Sequence, residues 1–159
     1  MTIDDWEDLE EPEEEHVLEF WALDKSKQPP YRRVERPVWE RIDHALNQVY
    51  QHGGTVSMRV LKPVDSYINE LVMKSLPKQF RIILLTRDED RKQELLEWWE
   101  PEVTPFRGTI RFGDDDWDAR TVCSDLAVAQ KYFYELYEHG KLSQETLLSL
   151  RSPWNPMPK

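Results

Sequence analysis

Hydrophobic and polar positions alternate or recur along most of this chain, and the period changes from two to three-and-a-half and back. HVLEFWAL (16–23) is rich in aromatic and branched residues and predicts a first strand. KSKQPPYRRVERP follows as a basic connection, with Pro29, Pro30 and Pro37 expected to forbid regular structure across it. Pro37 then suits the first position of a helix. In that helix Val38, Trp39, Ile42, Ala45, Leu46, Val49 and Tyr50 form one apolar stripe, ended by His52-Gly53-Gly54.

TVSMRVL (55–61) alternates as a strand does. YINELVMKS and FRIILLTR, joined through Leu76-Pro77-Lys78-Gln79, predict an antiparallel hairpin. A short helix over Tyr67, Leu71 and Lys74 is the alternative for its first arm. Four consecutive aliphatic residues, Ile82 to Leu85, mark the second arm as deeply buried. ELLEWWEP and GTIRFG read as two further strands. After residue 123 the helical period returns. Ser124 is the expected cap of a helix bearing Leu126, Ala129, Tyr132 or Phe133, Leu136 and Tyr137, which stops at His139-Gly140. Ser143 opens a second short helix, and SPWNPMPK closes the sequence as an extended, proline-rich tail. These elements predict an α+β fold, a largely antiparallel sheet of about five or six strands with helices packed on one face.

Composition adds scale and compartment. At 159 residues, with seven tryptophans, six tyrosines and five phenylalanines, the chain can bury a sizeable core although 33% of it is charged. No apolar run is long enough to span a bilayer, and the acidic start does not resemble a secretory signal. A lone Cys123 forms no internal disulfide, which makes a reducing cytoplasm the simplest location.

The net charge of −10 sits in one place. Residues 1–19 hold ten acids and no Lys or Arg, which leaves 21 acids against 21 basic residues in the remainder. The organisation expected is therefore an acidic arm (1–15) and one α+β domain (16–159). Such an arm solvates the protein or docks on a positive surface. It argues against nucleic acid as a direct ligand, because phosphate backbones need clustered cations.

The chemistry-bearing stretch is FGDDDWDARTVCSD (112–125). Asp114, Asp116 and Asp118 stand at alternate positions with Asp125 twelfth, an echo of a calcium loop. Ala119 stands where that loop needs glycine, and Asp125 is a methylene short of the usual glutamate, so no metal is assigned. Three roles stay open for the cluster: shaping a turn and helix start, facing a basic partner, or holding a divalent cation that activates water. His52 and His139 precede helix-ending glycines, where ring and terminal carbonyls attract each other. Neither they nor His16, His44 and Cys123 show ligand spacing. In EWWEPEV, Trp98 and Trp99 are expected on opposite faces of a strand, as are Glu97 and Glu100, which weakens a paired-carboxylate reading. No phosphate-cradling or nucleophile motif is present. The sequence thus predicts no catalytic residue and no cofactor.

The stretch EWWEPEVTPFRGTIRFGDDDWDARTVCSD is similar to a segment of small uncharacterised bacterial proteins found beside contact-dependent inhibition and other polymorphic toxins, over about residues 54–158. The chain so resembles an immunity protein. The resemblance implies tight binding to one cognate toxin domain, such as a nuclease, through an acidic surface, without membrane or direct nucleic-acid contact. Partner-facing candidates are Asp114, Asp115, Asp116, Trp117 and Asp118, with Tyr31 and Trp154 as aromatic anchors in irregular segments. The competing classes are a metal-dependent hydrolase using the same aspartates and an acidic adaptor.

Overall fold

The computed structural model describes residues 16–24, 31–87, 92–102 and 104–152; of Asp24 and residues 31–35 it describes the backbone alone. The acidic arm and Trp154 lie outside these residues. The described elements are β1 (Val17–Asp24), β2 (Tyr31–Glu35), α1 (Trp39–His52), β3 (Gly54–Lys62), β4 (Ile68–Leu76), β5 (Gln79–Arg87), β6 (Gln93–Trp98), β7 (Thr109–Phe112), β8 (Asp115–Asp118), a 3-10 turn (Ala119–Thr121), α2 (Leu126–His139), α3 (Gln144–Leu148) and β9 (Leu150–Arg151). The main sheet runs β2-β1-β3-β4-β5-β6-β9 with every pair antiparallel.

Register explains which residues make the core. Phe20, Met58, Leu71, Leu84 and Leu96 stand side by side across five strands, and Ala22, Val56, Met73 and Ile82 form the next row. Because side chains alternate along a strand, both rows share one face, and the helices cover it. Ile42, Leu46 and Val49 of α1 and Ala129, Phe133 and Leu136 of α2 are buried in the same cluster. Gln130 Nε2 donates to Asp43 Oδ1 at 2.8 Å and ties the two helices together. Burying the larger of these side chains stabilises the fold by roughly 1.5–3 kcal/mol each.

Turn chemistry sets the β4–β5 hairpin. Pro77 supplies the first central position and Lys78 takes φ 63° at the second, the pattern of a type II turn. At the start of β3, Gly54 adopts φ 142°, and a Cβ there would overlap the Leu23 carbonyl oxygen. Only glycine allows β1 and β3 to approach so closely.

Several sequence expectations change. Tyr31–Glu35 is a strand, although the whole basic connection was expected to be irregular. Its prolines lie on either side of it, and an edge strand needs hydrogen bonds along one side only. GTIRFG does form a strand, β7, but in a separate two-stranded hairpin with β8. The cap of α2 is Asp125, whose carboxylate accepts from Ala127 N, and not Ser124. The Ser124 carbonyl instead accepts from the Tyr50 hydroxyl at 2.7 Å. Trp98 packs against the core, while Trp99, just past β6, is buried with the Arg120 guanidinium 5.1 Å from its ring.

Candidate functional site: an acidic hairpin clamped to the sheet

The aspartates lie in a hairpin and not in a loop leading to a helix. Phe112 pairs with Asp115, so Gly113 and Asp114 alone make the turn. Gly113 takes φ 61° and Asp114 does not take positive φ, as a type II′ hairpin turn requires. Along β8 the side chains alternate. Asp115 shares a side with Trp117, and Asp116 shares the other with Asp118. Four carboxylates dispersed in this way do not converge on one point. Among the described residues no three His, Cys, Asp or Glu side chains group as metal ligands.

Trp117 fastens the hairpin to the outer face of the main sheet. Its ring stacks on Phe112 with centroids 4.3 Å apart at an interplanar angle of 20°. On the other side the Arg81 guanidinium lies 3.6 Å from the ring centroid, with Lys74 Nζ at 5.9 Å. Arg81 in turn is buried and paired with the Glu97 carboxylate of β6. Burial pushes the Glu97 carboxyl above the ordinary range, with the Arg81 charge opposing that shift. Asp115 also contributes a favourable field at Arg81. A cation so placed is attracted both by the ring face and by the carboxylates around it.

The base of the hairpin has its own clamp. Asp118 Oδ1 accepts from Arg120 N at 2.9 Å and Arg120 Nε at 3.0 Å, and Oδ2 accepts from the Arg120 terminal nitrogen at 2.7 Å. These bonds hold the Asp118 carboxyl below its ordinary range. Arg120 Nη1 also donates to the Thr104 carbonyl at 3.1 Å. Beside it Arg107 pairs with Glu100, which accepts from Thr104 Oγ1 at 2.6 Å. Glu97 and Glu100 thus serve different arginines.

Asp114, Asp115 and Asp116 at the hairpin tip are all exposed. Asp116 has a loose partner in Arg111 at 3.7 Å, both largely in solvent. Of the other candidates, Tyr31 begins β2 in register with Leu23, with its ring outside the description. Trp154 lies outside the described residues. Cys123 is buried, and burial pushes its thiol up to about 11, which suits a core residue and not a nucleophile. His52 and His139 occupy the last turns of α1 and α2, while His16 Nε2 lies 2.8 Å from the Tyr137 carbonyl.

The Arg81–Glu97–Trp117 stack is what sequence reasoning missed. An arginine inside an aliphatic strand and a glutamate between Leu96 and Trp98 were the available signals. Pairing them required the β5–β6 register.

A family model described as "Family of unknown function (DUF6911)" matches residues 17–146. The chain belongs to this family. The matched span runs from β1 into α3 and includes the clamped hairpin. A crystal structure of a hypothetical protein from Neisseria gonorrhoeae has a similar fold, with a TM-score of 0.62 and 14% identity over 81% of this chain and 92% of that chain. No curated protein matches the sequence. No described helix is long and apolar enough to cross a membrane.

Proposed function

We propose that this member of the family is an inhibitor-type binding protein of the bacterial cytoplasm, an immunity protein that neutralises a cognate toxin domain by occupying it. One observation carries the reading. Three exposed aspartates, Asp114 to Asp116, crown a hairpin that Trp117 and Asp118, neighbours near the base of β8, hold to the body, with Phe112 stacked on the Trp117 ring. A tip held in this manner loses little conformational freedom on binding. Its charge steers a basic partner, such as a nuclease domain, toward it and raises the association rate. On this reading the protein turns over no substrate, takes no cofactor and touches neither nucleic acid nor membrane directly.

Trp117 moves from the partner-facing set to the supporting one, because its two faces are already occupied by Phe112 and Arg81. The test is a growth assay. Cells expressing a toxin domain encoded beside this gene grow when the chain is co-expressed and stop growing when all three tip aspartates are changed to lysine. Equal protection by both forms overturns the hairpin's role, and protection by neither overturns the immunity reading.

A further inference from the structure

Of the large apolar side chains that stay in solvent, Val38, Tyr134 and Leu148 belong to the helices and their caps, whereas Phe106 stands in the segment leading into β7. Phe106 is 63% exposed. Single apolar residues on a surface are ordinary. This one is held in place from both sides. Before it, the Thr104 carbonyl accepts from Arg120 Nη1 at 3.1 Å, Thr104 Oγ1 donates to Glu100 at 2.6 Å, and Pro105 fixes its own φ. After it, Arg107 pairs with Glu100 and donates to the Ala119 carbonyl at 3.2 Å, and the Gly108 carbonyl accepts from Ala119 N at 3.0 Å. The Arg120 guanidinium lies 5.9 Å from the Phe106 ring centroid.

The ring adjoins the hairpin on its outward side. Trp117 turns one side of β8 toward Arg81 and the sheet, so Asp116 and Asp118 face away from it. These two lie about 7 Å apart along the strand, and Asp118 holds the Arg120 guanidinium that meets Phe106. Asp116 and Phe106 therefore fit within one binding patch of about 800 Å², roughly 30 Å across. Around the ring the charges cancel in pairs: Arg120 with Asp118, Arg107 with Glu100, Arg111 with Asp116. The excess negative charge is left at the tip, on Asp114 and Asp115. A neutral, preformed aromatic centre beside a charged edge is the usual layout of a protein interface.

We propose that Phe106 is the apolar anchor of the interface that neutralises the toxin domain, and that it enters an apolar pocket bordering that domain's basic surface. The proposal rests on the immunity reading and gives Phe106 the anchoring part that Trp117, covered on both faces, cannot play. The tip aspartates set how fast the partners meet, and the ring sets how long they stay together.

The experiment measures association and dissociation rates of the toxin domain encoded beside this gene with the full chain and with Phe106→Ala and Phe106→Glu. Phe106→Ala is expected to dissociate at least about tenfold faster, with association within about twofold of wild type and no loss of the difference at high salt. Phe106→Glu separates shape from charge. An added carboxylate tightens a purely electrostatic contact with a basic partner, whereas the loss of an anchor weakens binding at least as much as alanine does. Wild-type dissociation of Phe106→Ala, or tighter binding by Phe106→Glu, overturns the anchor and leaves the tip's role standing. A wild-type chain that does not bind the toxin domain overturns the anchor and the immunity reading together.

Discussion

The Arg81 guanidinium lies 3.6 Å from the centre of the Trp117 ring, and through this contact a strand of the main sheet carries the acidic hairpin. Trp117→Ala removes the ring from between Arg81 and Phe112. Loss of a partly buried tryptophan and its cation contact is expected to cost about 2–4 kcal/mol. Trp117→Phe keeps a stacked ring and loses less than half of that. Urea unfolding of both variants measures the difference.

Beneath that ring, Arg81 and Glu97 form a pair that neither can leave alone. Glu97→Ala strands a buried guanidinium and is expected to cost about 3–5 kcal/mol, while replacing both residues by methionine recovers most of the loss. Denaturant midpoints of the two singles and the double test this coupling.

The same carboxyl gives a pH signature. Its folded-state pKa is raised above the ordinary value of 4.5 by burial. The folded state therefore holds the Glu97 proton more tightly than the unfolded state does. The stability tied to that proton is complete below pH 4.5 and is lost as pH climbs through the raised value. Glu97→Gln removes this downward slope above pH 4.5, measurable as unfolding free energy against pH.

Asp118 and Glu100 act in the opposite sense. Arginine hydrogen bonds depress both: Arg120 at Asp118, Arg107 at Glu100. Their contribution is present above the ordinary carboxylate range and is lost as pH falls through the depressed values. The hairpin base is expected to loosen first on acidification, seen as a change in tryptophan fluorescence below about pH 4. In Asp118→Asn that change is diminished, while the 3-10 turn keeps a capping side-chain oxygen; Asp118→Ala removes the cap as well, at about 1 kcal/mol.

Divalent cations offer a direct check on the hydrolase alternative. With the aspartates divided between the two sides of β8, millimolar calcium, magnesium or manganese is expected to leave Tm unchanged. A rise abolished by Asp116→Ala contradicts the arrangement described, since a ligand that binds the native state must stabilise it.

Much of the fold was legible because its signals are local. The stripe of Ile42, Leu46 and Val49, the alternation of β3, the Pro77-Lys78 turn and the glycine stops after His52 and His139 each speak through neighbouring residues. What escaped depends on partners far along the chain. Tyr31–Glu35 is a strand only because β1 offers it an edge. The run Asp115–Asp118 has poor strand propensity and pairs because Gly113 turns it back onto β7. The candidate site was half legible. The aspartates stood out, but the function of Trp117 as their fastening needed Arg81 beneath it, 36 residues away in sequence.

The central claim is that the exposed hairpin tip is the charged contact for a basic protein partner. The most direct measurement is the association rate of the cognate toxin domain with the wild-type chain and with a chain carrying Asp114→Lys, Asp115→Lys and Asp116→Lys, at low ionic strength. The substitutions are at exposed positions and are expected to leave stability nearly unchanged. The account predicts association slowed by at least about tenfold, with the difference shrinking as salt is raised. Equal rates for the two proteins would contradict it.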